Sequence, residues 1–70
     1  MPDSTVGQSV RSMTLDDLFA IGNKQREENH ACGMATEGVE YLTRSWIDAL
    51  VEYQGLHEAV ADALRRRWML

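Results

Sequence analysis

The sequence predicts an all-α fold built as a hairpin of two long helices. Three observations carry this. A helix-capping pattern opens at Thr14, apolar residues from Ala35 to Ala63 recur at alternating spacings of four and three, and no stretch alternates apolar with polar residues as a strand would.

Residues 1–13 read as a disordered lead, because Pro2, Ser4, Thr5, Gly7, Ser9 and Ser12 are mixed with two isolated valines and no period survives. Order is expected from Thr14, whose hydroxyl suits an N-cap with Asp17 at the third helical position. Asp16 and Asp17 place negative charge at the positive end of the helix dipole. Leu15, Leu18, Phe19 and Gly22 then follow helical spacing and define one apolar stripe. From Asn23 to His30 there is no apolar side chain. Either the helix stops at Gly22-Asn23 and a polar loop follows or, the favoured reading because Lys, Gln, Arg and Glu are good helix formers, it runs from 15 to 32 and stops at Gly33.

The second helix is expected over 35–67. Ala35, Val39, Leu42, Trp46, Ala49, Tyr53, Leu56, Val60 and Ala63 form a heptad seam, and Ile47, Leu50, Val51, Ala61, Leu64 and Trp68 form a row beside it. Glu37 and Glu40 near its start and Arg65, Arg66 and Arg67 near its end complement one continuous dipole. Gly55 interrupts this pattern and marks a place to bend or break.

The seam is longer than the first helix can cover. Trp46, Tyr53, Leu56 and Val60 need another surface, and the economical one is a second copy of the chain, giving a homodimeric four-helix bundle. A larger protein partner is the other cover. The expected interface is Val39, Leu42, Trp46, Tyr53, Leu56 and Val60, with Arg65, Arg66, Arg67 and Trp68 as a secondary contact.

Composition narrows the chemistry. The chain has 70 residues, 44% of them hydrophobic, with one cysteine and a formal net charge of −4. One cysteine allows no internal disulfide and too few thiolates for a structural zinc site. The longest apolar run, Leu18-Phe19-Ala20-Ile21, is far short of the roughly 20 residues that cross a bilayer. No signal peptide is expected, and the default location is cytoplasmic.

Catalytic arrangements find little support. His30 and Cys32 are two apart and diverge on a helix, so Cys32 is expected to pack as a small apolar residue near the turn. Two helices leave no room for a pocket of ~300 Å³. Neither Asp16-Asp17 nor Glu27-Glu28 converges on one point, and His30, Cys32 and His57 match no zinc spacing. Gly33 and Gly38 are not followed by the Lys-Ser or Lys-Thr of a phosphate loop. No enzyme, metal or cofactor is therefore expected.

The expected function is a small interaction protein that binds a larger protein and regulates or inhibits it, or adapts it for assembly. Residues 36–64 hold six acids against the single base Arg44, a charge that steers toward a basic partner. The alternative is a dimeric nucleic-acid-binding regulator that uses Arg65, Arg66 and Arg67, with Trp68 available for stacking.

Overall fold

Thr14 caps the first helix from both sides. Its Oγ1 accepts from the Asp17 N–H at 3.1 Å, and its own N–H donates to Asp17 Oδ2 at 3.2 Å. The computed structural model, which describes residues 10–70, runs this helix, α1, over Leu15–Ala31. The polar stretch 23–30 is thus helical, with Asn23 Nδ2 donating to Glu27 Oε2 one turn on. The helix closes in a Schellman turn. Gly33, at φ +93°, donates to the His30 carbonyl, and Met34 donates to that of Asn29.

The disordered lead expected over 1–13 falls partly outside the described residues. Within them, Val10–Ser12 form a single 3₁₀ turn, and Val10 and Met13 pack against the core. Among the described residues, helical structure is therefore present from four residues before Thr14.

The continuous second helix expected over 35–67 is two helices. α2 spans Thr36–Gln54 and α3 spans Glu58–Arg67. Gly55 sits at φ +74°, and both its N–H and that of Leu56 converge on the Leu50 carbonyl. That left-handed geometry is cheap only for glycine. His57 then caps α3, its Nδ1 accepting the Ala59 N–H at 3.1 Å. The chain reverses here, so α3 packs against both α1 and α2.

The break redistributes the apolar rows. Val39, Thr43, Ile47 and Leu50 are the buried positions of α2, while Ala61 and Leu64 are those of α3. Leu56, expected on the seam of a helix, lies in the link and is buried with Leu18, Ile47, Leu50, Leu64 and Trp68. The cover sought for the seam in a second copy is thus supplied in large part by the chain's own last third. Fully burying each such leucine or isoleucine contributes about 1.5–3 kcal/mol. The result is an all-helical bundle of three helices, with no strand among the described residues.

α3 ends as α1 does, with one difference. Met69 donates to the Arg66 carbonyl and Leu70 to that of Arg65, but the left-handed position is filled by Met69 at φ +58°. Leu70 is thereby turned back onto the core.

Two substitutions check these turns. Gly55→Ala is expected to lower unfolding stability by about 1–2 kcal/mol, the cost of the left-handed region for a residue with a Cβ. Met69→Gly is expected to raise it by about 0.5–1 kcal/mol, since the side chain it removes is 89% exposed. Urea titration followed by helical circular dichroism measures both.

Candidate functional site

Gly22 lies on the face of α1 that meets α2 and the end of α3. A Cβ there would stand 2.8 Å from Trp46 Cζ3 and 2.9 Å from Trp68 Cζ2, and closer still to Trp68 Cη2. The absent side chain is what lets two indoles reach the α1 backbone. Around this point Trp68 stacks on Phe19, with centroids 4.9 Å apart and planes 20° apart, and meets Trp46 at 6.3 Å and 55°. The Arg67 guanidinium lies 4.0 Å above the Phe19 ring, and its Nη1 bonds Asp16 Oδ1 at 2.8 Å. Trp68 Nε1 is buried with no acceptor, a local cost that the packing of the ring outweighs.

Beside this cluster, α1 and α2 diverge into an open groove of about 240 Å³, lined by Gly22, Gln25, Asn29, Leu42, Thr43 and Trp46. None of these six is charged. Arg26 is not among the lining residues but is bonded to one of them. Its Nη1 donates to Thr43 Oγ1 at 3.2 Å, and its Cζ lies 5.4 Å over the Trp68 ring. Thr43 is buried, and its hydroxyl donates to the Val39 carbonyl at 2.7 Å.

The residues expected to form an interface separate into three groups. Val39 and Leu56 are core residues of the single chain, buried under its own helices. Val60 and Trp46 are half-buried and pack against that core. Leu42 and Tyr53 remain on the surface, 41% and 75% exposed. Leu42, Trp46, Ala49 and Tyr53 follow four-three-four spacing, so they form one edge along α2. The acids Glu37 and Asp48 are exposed away from that edge, as about 100° per residue requires, and exposed Glu52 flanks its far end.

The secondary contact is also redistributed. Trp68, expected as a free stacking surface, is 9% exposed and belongs to the core. Arg65 bonds Asp48 at 2.7 Å and Asp62 at 2.9 Å, with Glu58 at 3.9 Å, which fastens α3 to α2. Hydrogen bonding to Asp48 raises its pKa above the ordinary arginine value. Arg67 is held by Asp16, and Arg66 is exposed.

Cys32, expected to pack near the turn, is exposed. Open hollows of about 280 and 370 Å³ also form, which two helices were not expected to provide; Val10 of the 3₁₀ turn, the 55–57 link and Val60 of α3 wall the first, and Met13 with one face of α1 walls the second. Among the described residues no three His, Cys, Asp or Glu side chains gather where a metal ion would sit. Among the same residues no helix is long and apolar enough to cross a membrane.

Sequence reasoning placed Gly22 on the apolar stripe but did not foresee its packing against two indoles, nor the bonds of Arg26. The signal for Gly22 was a glycine within an apolar helical stripe, where only a close approach explains it. Arg26 had no signal, because it stands in a wholly polar run. No protein-family model matches the chain, and neither a curated protein nor a solved structure matches it.

Gly22→Ala tests the seat of the indoles. Helix propensity alone favours alanine by about 1 kcal/mol. Overpacking against two rings is expected to reverse that sign and destabilise the protein by about 1–3 kcal/mol. A thermal melt followed by tryptophan fluorescence reads it, and a variant more stable than wild type would refute the close packing.

Proposed function

We propose that the protein is a small, non-enzymatic interaction module that binds a larger protein through the exposed edge of α2, and thereby regulates, inhibits or assembles it. The observation that carries this reading is the edge itself. Leu42 and Tyr53 stay exposed beside half-buried Trp46, although the chain has a third helix available to cover its apolar surface. An aromatic and a leucine around a partly formed groove are the usual anchors of helix-in-groove recognition. The exposed acids Glu37 and Glu52 outside the edge favour cations at the rim of the partner.

Two other uses of the molecule are separable. Two copies meeting edge to edge would use the same surface, and light scattering at micromolar concentration distinguishes a dimer mass from a monomer. Nucleic-acid binding would draw on Arg65, Arg66 and Arg67, two of which already hold carboxylates of the chain. That commitment favours the protein-binding reading.

The double variant Leu42→Gln, Tyr53→Gln tests the edge. Its stability is expected within about 1 kcal/mol of wild type, because neither side chain is in the core. Affinity capture from the native host with wild type and variant, each with nuclease present, is expected to lose specific proteins in the variant only. Identical protein sets would overturn the reading.

A further inference from the structure

We propose that the groove between α1 and α2 docks a partner helix that presents an apolar side chain next to a carboxylate, and that Arg26 is the residue that reads the carboxylate. This names the partner chemistry of the edge proposed above and rests on that proposal. The first observation is that Arg26 is fixed before anything binds. One donor reaches Thr43 Oγ1 at 3.2 Å, the guanidinium lies over Trp68 at 5.4 Å, and Thr43 is itself locked to the Val39 carbonyl. A guanidinium has five N–H donors in a planar fork, so most of its hydrogen-bonding capacity is left over.

The second observation is charge. The chain holds 11 acids against seven Lys and Arg, yet among the described residues no carboxylate oxygen lies within 4.0 Å of Arg26. Arg65 and Arg67, the other arginines packed against neighbouring helices, both have one. Arg26 is half-buried, so it has lost part of its hydration without a counter-charge in return among the described residues. An incoming carboxylate supplies that charge, in the two-pronged geometry the fork favours.

The third observation is shape. Gly22, Leu42 and Trp46 offer apolar surface to one side chain, and the amides of Gln25 and Asn29 stand along the α1 wall. From Leu42 to Tyr53 the edge extends for about 16 Å at the helical rise, close to three turns of a partner helix. A second copy docking through its own α2 edge is poorly matched, because Glu37 and Asp48 lie away from that edge, Asp48 is already bonded to Arg65, and only Glu52 flanks its far end. The partner is therefore a different protein, with an acid beside its apolar anchor. The net charge of −4 does not oppose this at contact, since exposed charges beyond about 8 Å are screened at physiological salt.

The test is selection from a displayed library of amphipathic helical peptides, with a fixed leucine anchor and randomised neighbours, on wild type, Arg26→Gln and Arg26→Lys. Enriched peptides are expected to carry Asp or Glu within one turn of the leucine. Their affinity is expected to fall about tenfold on Arg26→Gln. Replacing the peptide acid by its amide should cost as much against wild type and nothing further against Arg26→Gln. Arg26→Lys, which keeps the charge and loses the fork, should fall between. Amide shifts at Gly22 and Trp46 locate the peptide in the groove. Enrichment without an acid, or equal binding to Arg26→Gln, overturns the role of Arg26 and leaves the α2 edge as a protein-binding surface. Failure of any helix to enrich overturns both. If Arg26→Gln does not fold, the acid-to-amide change measured on wild type decides the matter alone, and no loss there is fatal.

Discussion

The indole of Trp68 lying on the bare backbone of α1 at Gly22 is the contact on which the rest of the fold depends. Trp68 follows α3 directly, Gly22 is mid-way along α1, and Trp46 comes from α2, so one meeting point joins all three helices. Phe19 and Arg67 extend it by stacking, and the Arg67–Asp16 pair ties the end of α3 to the start of α1. An exposed ion pair of this kind contributes less than about 1 kcal/mol. Aromatic burial is the larger effect. It tolerates the unpartnered Trp68 Nε1 and the left-handed Met69, both of which follow from placing Trp68 and Leu70 on the core.

That contact also decides which part of the α2 seam remains outside. With α3 folded back, Ile47 and Leu50 are enclosed with Leu64 and Trp68, and the seam splits along its length. The enclosed side is core. The other side, from Leu42 to Tyr53, is the edge that borders the groove. A chain of 70 residues buries only about 60% of its unfolded surface, so some apolar exposure is ordinary. Tyr41, 70% exposed and off the edge, is of that ordinary kind. The distinction at Leu42, Trp46 and Tyr53 is that three such residues share one side of one helix.

Much of this was legible in local chemistry. The capping box of Thr14 and Asp17, the helical polar stretch 23–30 and the stop at Gly33 all follow from interactions within one turn, which spacing reveals. Gly55 marked a place to bend or break, and the expectation of one helix through it to 67 has a specific physical cause. Heptad spacing carries on arithmetically across a break, so Leu56, Val60 and Ala63 kept the rhythm of a helix they do not belong to. Ala61, Leu64 and Trp68, which seemed to widen one stripe, are the inner face of a separate helix with its own axis. An unusually broad stripe with a glycine in its middle is better read as two helices folded on each other. The exposure of the residues expected at an interface was correspondingly only partly legible: Leu42 and Tyr53 are on the surface, while Val39 is buried and Leu56 and Trp68 belong to the core that the fold-back of α3 completes. Arg26 was illegible because its surroundings are made by residues 17 and 42 positions away, Thr43 and Trp68.

Groove and core share their residues, and this has a physical consequence. Gly22, Thr43 and Trp46 line the groove, yet Gly22 seats Trp68, Thr43 is bonded into α2, and Trp46 packs on the core cluster. The floor of the groove is therefore the outer surface of the aromatic contact that closes α3. Its shape is held by burial, so little ordering is left to be done when a partner arrives. The coupling runs both ways, since a ligand that binds only the folded chain stabilises it in proportion to the logarithm of its concentration over Kd. A partner helix in the groove would thus hold α3 closed without touching it, by strengthening the surface against which Trp68 rests.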